Sequence, residues 1–121
     1  MASHTELGRE GEHRAGLFLQ SRGFSIIESN WRHGHWEIDL VATRDGILHF
    51  IEVKTKRNAR GGFPENRVNK KKFRLLQQAA SAYLETHPHW VRIQFDIVSI
   101  LIPGGGQQGS VLLIEDVFFW D

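Results

Sequence analysis

The chain contains no cysteine, which excludes disulfide frameworks and thiolate metal sites. No apolar run approaches the ~20 residues that a membrane-spanning helix requires, so no membrane partner is expected. The N-terminal stretch MASHTELGREGEHRAG lacks the apolar core of a secretory signal, which favours a cytoplasmic location. The length of 121 residues predicts a single domain, residues 1–121, that is large enough to bury a hydrophobic core.

The net charge is only +1, but the charge is unevenly distributed along the chain. Segment 54–74 carries nine Lys or Arg residues and one Glu, a local charge of +8, so the rest sums to −7. Such a segment is typical of polyanion binding, most simply to a nucleic-acid backbone, although a solvated loop and helix start can also carry it. The candidate nucleic-acid-binding residues are Lys56, Arg57, Arg60, Arg67, Lys70, Lys71 and Lys72.

Apolar periodicity and turn signals predict the element order α-β-β-β-α-β-β. The predicted elements are a helix over 4–22 with a capping box at 3–6, a strand over 24–32, a hairpin over 37–54, a helix over 66–85, and a final strand pair over 90–102 and 110–120. Gly8 and Gly11 inside the first helix indicate a close approach to a neighbouring strand. The order predicts an α/β fold with a mixed sheet and a helix on each side.

The hairpin predicts a cluster of charged side chains. Asp45-Gly46, flanked by alternating apolar residues, is a strong hairpin signal, and it places Asp39 opposite Glu52. The same register places Glu37 opposite Lys54, and opposed residues share a face with Cβ atoms ~4.5–5.5 Å apart. The other face is expected to carry the apolar residues Ile38, Leu40, Ile51 and Val53.

Two carboxylates on one sheet face repel each other, so a compensating charge is expected. Mg²⁺ would provide it, because this ion takes one or two protein carboxylates and keeps waters for a substrate phosphate. Lys54 beside them could hold a water or balance charge on a phosphate. The alternative is a solvated polar face in which the pair Glu37–Lys54 contributes little.

The ordered motifs resemble the restriction-endonuclease-like PD-(D/E)XK superfamily, and more narrowly the small bacterial YraN-type proteins. The matching pieces lie between about Leu7 and Ile100 and are GREGEHRA, Asn30-Trp31-Arg32, EIDLVA, FIEVKTK, Val68, Lys71 and Phe95-Asp96-Ile97-Val98. The resemblance implies a restriction-endonuclease-like three-layer α/β/α fold with a mixed central sheet. Departures from the usual pattern are Ile38 in place of proline, Trp36 in place of glycine and Lys56 in place of arginine.

The resemblance also implies roles for individual residues. Asp39 and Glu52 would bind Mg²⁺ or Mn²⁺, with the backbone carbonyl of Val53 as a further ligand. Lys54 would be the catalytic lysine that positions the attacking water, and Glu12 an auxiliary contact to the metal or water. Two further auxiliary residues are Glu37, which belongs to the YraN-type motif, and Trp36, which could crowd the cleft or stack on a base.

These observations favour a metal-dependent nuclease that hydrolyses phosphodiester bonds of DNA, with structured or branched DNA among its candidate substrates. A nucleic-acid-binding protein without catalysis is the alternative, and a structural or assembly protein is a third.

Nucleases of the implied fold are often homodimers, and Phe118-Phe119-Trp120 is interpreted as core or dimer contact. Asp96 is expected to bond to a neighbouring strand or loop. The seven histidines lack the spacing of a zinc site.

Overall fold

The computed structural model describes residues 5–58, 70–105 and 108–118. In this part of the chain, two helices and five strands follow one another in the predicted order. They are α1 (Glu6–Ser21), β1 (Ser25–His33), β2 (Trp36–Arg44), β3 (Ile47–Lys56), α2 (Lys70–Thr86), β4 (Ile93–Leu101) and β5 (Ser110–Ile114). No helix in these ranges is long and apolar enough to span a membrane.

The first helix begins later than the sequence predicts. Thr5 is its N-cap, and the Thr5 hydroxyl accepts a hydrogen bond from the Gly8 backbone N–H at 3.0 Å. The prediction of Ser3 as the capping residue is therefore wrong, because a Thr two positions later satisfies the free N–H groups of the first turn. Farther along, a Cβ added at Gly11 would lie 2.0 Å from Thr55 Oγ1. This confirms the predicted close approach of α1 to a strand, which is β3.

The strands form one mixed sheet in the order β1-β2-β3-β4-β5. The pair β3–β4 is parallel and is joined through α2, whereas the other three pairs are antiparallel. The predicted register of the central hairpin is confirmed from Arg44 opposite Ile47 to Leu40 opposite Ile51. Its two turn residues, Asp45 and Gly46, both have positive φ, as a two-residue hairpin turn of this type requires.

A helix covers each face of the sheet. α1 contributes Ala15 and Leu19 to a core cluster on one face, and α2 contributes Leu76, Ala79 and Tyr83 to a cluster on the other. The sheet residues of the α1-side cluster are Leu40, Ala42, Ile51, Val98 and Ile100. Those of the α2-side cluster are Ile38, Val41, Leu48 and Phe50.

Strand β2 does not alternate regularly along its whole length. Ile38 packs in the α2-side cluster, whereas Leu40, two residues later, packs in the α1-side cluster. The prediction that Ile38 shares a face with Leu40, Ile51 and Val53 is therefore wrong for Ile38. A regular strand would place the side chains of residues i and i+2 on the same face of the sheet. The alternation of side chains between the two faces is therefore interrupted between Ile38 and Leu40.

The last two strands pair as a hairpin, but both are shorter than predicted. β5 ends at Ile114, and the following Asp116 has φ +58°, which is incompatible with continued strand. Phe118 is 59% exposed, so the interpretation of this residue as core is wrong. Phe119 and Trp120 lie outside the described residues.

Asp96 of β4 has the structural role that the sequence favoured. Its carboxylate is buried, lies 2.5 Å from Nδ1 of the buried His49, and accepts hydrogen bonds at 3.0 Å from Gln94 Nε2 and the Asp116 backbone N–H. These contacts join β3, β4 and the segment after β5.

Candidate active site

A cleft of about 520 Å³ opens beside α1 and α2. It lies at the start of β2 and the end of β3, beyond the part of the hairpin in which these strands pair. Its charged lining comes from four elements of the chain. The carboxylates are Glu12, Glu37, Asp39 and Glu52, and the lysines are Lys54 and Lys72. Trp36 and Val53 also line it. The structure thus brings together the catalytic, metal-binding and auxiliary residues that the sequence analysis singled out.

The cleft begins where the strands of the hairpin separate. The ladder between β2 and β3 ends at Leu40 opposite Ile51, one pair before Asp39 and Glu52. At that point Oδ2 of Asp39 accepts a hydrogen bond from the Val53 backbone N–H at 2.8 Å. A side-chain carboxylate therefore satisfies a partly buried N–H at the end of this ladder, which holds Asp39 beside β3.

The pKa of Asp39 is raised from 3.8 to about 7, first by burial and second by the neighbouring charge of Glu52. The hydrogen bond from Val53 lowers the pKa, but it is outweighed, and Glu12 and Glu37 add smaller unfavourable charges. Ionising a partly buried carboxylate among like charges costs free energy, and a nearby cation lowers this cost. The predicted electrostatic conflict at this position is therefore present, with Glu12 and Glu37 close enough to contribute to it.

The ion pairs of the site differ from the predicted ones. Nζ of Lys54 lies 2.6 Å from Oε2 of Glu52, its neighbour two positions back on β3. Glu37 lies opposite Arg32 of β1, with Arg32 Nη2 and Glu37 Oε1 3.7 Å apart. The prediction that Glu37 pairs with Lys54 is wrong, because the β2–β3 ladder ends before it reaches these residues.

Glu12 reaches the cleft because α1 lies against β3. The preceding residue, Gly11, leaves no room for a Cβ beside Thr55, and Thr55 follows Lys54 on the strand. The helix can therefore bring Glu12 near enough for its charge to raise the pKa of Asp39. The close contact between helix and strand is what places this carboxylate at the site.

The carboxylates of the cleft carry oxygen ligands of the kind that Mg²⁺ takes. Among the described residues, no three His, Asp or Glu side chains are grouped closely enough to hold a metal by themselves. Mg²⁺ needs only one or two carboxylates and retains several waters. Asp39 and Glu52 could meet that requirement, and the pKa of Asp39 is raised first by burial and second by the charge of Glu52.

The predicted nucleic-acid-binding residues are divided between the cleft and the surface. All three lysines at the start of the described part of α2 (Lys70, Lys71 and Lys72) are exposed, and Lys72 also lines the cleft. Lys56 is partly buried at the end of β3, and Arg57 after it is exposed. The other two candidates, Arg60 and Arg67, lie outside the described residues.

Sequence reasoning missed His35 as a residue of the cleft. Its ring centroid lies 4.0 Å from that of Trp36, and both residues line the cavity. The position of His35 directly before Trp36, a candidate for base stacking, could have identified it. The sequence assigned Lys72 to the nucleic-acid-binding surface, and the packing of α2 places it in the lining of the same cleft as Glu52.

Comparison with known proteins gives a family but no activity. Residues 11–100 match the sequence model of the uncharacterised protein family UPF0102. A UPF0102 protein of Bacteroides thetaiotaomicron is 36% identical over 98% of this chain and 97% of its own length. Similar proteins come from Cytophaga hutchinsonii (44% identical, 80% of this chain and 86% of its own) and Rhodococcus opacus (39% identical, 98% and 100%). These matches confirm the resemblance to the small bacterial YraN-type proteins.

Proposed function

The chain belongs to the uncharacterised protein family UPF0102, and we propose that it is a Mg²⁺- or Mn²⁺-dependent nuclease that hydrolyses phosphodiester bonds of DNA. The observation that carries the proposal is the state of Asp39, whose pKa is raised to about 7 beside Glu52 in an open cleft. Strongly shifted carboxylates in a cleft are typical of functional sites.

The charge of the cleft supports a divalent cation. Four carboxylates and two lysines line it, which leaves two excess negative charges when all the carboxylates are ionised. One divalent ion would neutralise this excess. Without the ion, a phosphodiester would be repelled by the carboxylates, so substrate binding in the cleft is expected to require metal.

The side chains present can perform the remaining parts of the reaction. Hydrolysis requires a water to attack phosphorus while the bond to the leaving oxygen breaks, and that oxygen then takes a proton. A bound Mg²⁺ would supply Lewis-acid polarisation of the phosphoryl oxygens. Lys54, held 2.6 Å from Glu52, would orient the water or balance charge on the phosphate, and Glu12 would hold a further water.

The basic residues outside the carboxylate cluster would position the DNA. Lys70, Lys71 and Arg57 are exposed, and Lys72 lines the cleft itself. Contacts of this kind go to phosphates, so they add affinity that falls with salt and carry no base preference. A restriction-endonuclease-like fold is part of the proposal, supported by a mixed sheet with one helix on each face.

Cleavage of a labelled DNA panel tests the proposal. Single strand, duplex, flap and four-way junction are incubated with Mg²⁺, Mn²⁺ or EDTA and with wild type, Glu52→Gln or Lys54→Met prepared in parallel. Glu85→Gln, an exposed position on α2, is the matched control. We expect cutting that requires metal, is retained in the control and falls at least ~100-fold in both site variants. Equal cutting by wild type and Glu52→Gln would contradict the proposal.

A nucleic-acid-binding protein without catalysis is the second candidate. It is favoured by Lys70, Lys71 and Arg57, which are exposed and do not line the cleft, since these residues need no metal to bind phosphate. In that case binding persists in EDTA, is weakened by Lys70→Ala and Lys71→Ala, and no member of the panel is cut. Binding that appears only with a divalent cation would argue for the nuclease instead.

A further inference from the structure

Two aromatic rings line the same cleft as the carboxylates. Trp36 is the first residue of β2, three positions before Asp39, and His35 precedes it in the turn. Their ring centroids are 4.0 Å apart, with the planes tilted by 42°. His35 is exposed, while Trp36 is partly buried and packs against the α2-side core cluster. The indole is therefore anchored from behind while it borders the cavity.

Apolar side chains accompany these rings around the cleft. Leu75 of α2 lines it and is 49% exposed, and Leu7 of α1 lines it as well. Water-exposed apolar surface in a cavity is commonly a binding surface. The phosphate backbone is polar and would gain nothing from this lining. A base, in contrast, has an apolar π-face that stacks on tryptophan and histidine rings.

The form of the cleft selects between paired and unpaired bases. In a continuous duplex both faces of each base are covered by neighbouring bases, so a protein ring can stack on one only after unstacking costs a few kcal/mol. The cleft volume of about 520 Å³ lies in the range of small-molecule pockets, ~300–1,000 Å³. Such a cavity suits single nucleotides better than a section of duplex.

We propose that Trp36, assisted by His35, stacks on an unpaired base next to the phosphate held at Asp39 and Glu52. Trp36 is therefore a specificity residue that selects DNA with unpaired nucleotides, such as single strands, flaps and branch points, over continuous duplex. This inference rests on the proposed nuclease function, because it assumes that the carboxylates receive a phosphodiester.

Fluorescence anisotropy with labelled oligonucleotides tests the selection without cleavage. Ca²⁺, another cation that prefers oxygen ligands, replaces Mg²⁺, and a single-stranded dT oligonucleotide is compared with a blunt duplex. The variants are Trp36→Leu, which removes the ring, and Trp36→Phe, which keeps one. The control is Trp90→Leu, because Trp90 packs against the same core cluster but does not line the cleft.

Wild type is expected to bind the single strand more tightly than the duplex. Trp36→Leu should weaken single-strand binding roughly 5- to 150-fold and leave duplex binding within about twofold, since one stacking contact is lost. Trp36→Phe should keep most of the preference, and Trp90→Leu all of it. The salt dependence should stay the same in every variant, because no phosphate contact changes.

The exposed His35 provides a second variant if Trp36→Leu does not fold by circular dichroism. His35→Ala should weaken single-strand binding alone, roughly 2- to 12-fold, as expected for one aromatic contact. Equal wild-type affinity for both DNAs, or equal losses on both in the variants, would overturn the inference. Metal-dependent cleavage that needs Glu52 would then leave the proposed nuclease standing. No binding to either DNA would refute both.

Discussion

Replacing Asp39 by Asn is predicted to stabilise the metal-free protein at alkaline pH, although it removes a residue of the candidate site. The pKa of Asp39 is about 7 in the folded protein and 3.8 is its ordinary value. Between these values the unfolded chain releases the proton while the folded chain keeps it. The free energy of unfolding therefore falls as the pH rises from 3.8 to about 7, and stays low above it.

The size of this loss follows from the pKa difference of about three units. At 1.36 kcal/mol per unit, ionising Asp39 costs the folded state about 4 kcal/mol at pH 8. Asn carries no charge and keeps an oxygen that can accept the hydrogen bond from the Val53 N–H. Its amide N–H groups need partners, so the net gain at pH 8 is expected to be about 1–3 kcal/mol.

Urea unfolding in EDTA at pH 5 and pH 8 measures the effect. The stability difference between Asp39→Asn and wild type should be larger at pH 8 than at pH 5 by up to about 3 kcal/mol, because only two of the three units lie between these pH values. Asp45→Asn is the matched control, since Asp45 is exposed in a turn with φ +54°, which Asn tolerates. A difference that does not change with pH, or a variant less stable at pH 8, would refute the reasoning.

Two further predictions concern the framework that holds the site. Gly11→Ala should destabilise the protein by about 1–3 kcal/mol, because the new Cβ would meet Thr55 Oγ1 at 2.0 Å. Gly16→Ala on the same helix has open space around its Cβ, so it should stabilise the protein by about 0.5–1 kcal/mol. Thermal unfolding measures both changes in stability, and equal changes in the two variants would contradict the close contact between Gly11 and Thr55. Asp96→Ala should cost about 2–4 kcal/mol in urea unfolding, since it leaves three buried or partly buried groups without their acceptor. A loss below ~0.5 kcal/mol, as expected for the exposed control Glu85→Ala, would show that these bonds contribute little.

The sequence predicted the hairpin register well because one local signal determines it. Asp45-Gly46 permits only a tight turn with positive φ, and the turn then sets which residues face each other as far as Leu40 and Ile51. Extending this register by one pair grouped Asp39 with Glu52, and their charges do interact at the site, although the ladder itself ends one pair earlier. This grouping needed no knowledge of the rest of the fold.

The end of the ladder could not be predicted, since it depends on tertiary packing. Extending the register placed Glu37 opposite Lys54, but the strands separate after Leu40 and Asp39 takes over the Val53 N–H. Ile38 packs on the opposite face of the sheet from Leu40, whereas strict alternation would place both on the same face. The departure from local regularity occurs at the candidate site, where such departures are expected.

The helices supplied what the strand pattern could not. Lys72 lines the cleft because α2 packs beside it, and Glu12 lines it because Gly11 lets α1 approach Thr55. Neither position can be derived from spacing along the chain. The start of the first helix was predicted too early, because Ser3 has the same capping chemistry as Thr5, which is the N-cap in the structure.

The nuclease proposal depends most directly on the binding of a divalent cation by Asp39 and Glu52. Titration calorimetry with Mn²⁺ at pH 6, in two buffers of different ionisation enthalpy, measures both affinity and proton release. Because Asp39 has a pKa of about 7, most of it is protonated at pH 6, and binding should release nearly one proton per ion. Asp39→Asn should bind weakly and release none. Undiminished binding by that variant, or no binding by wild type, would contradict the account.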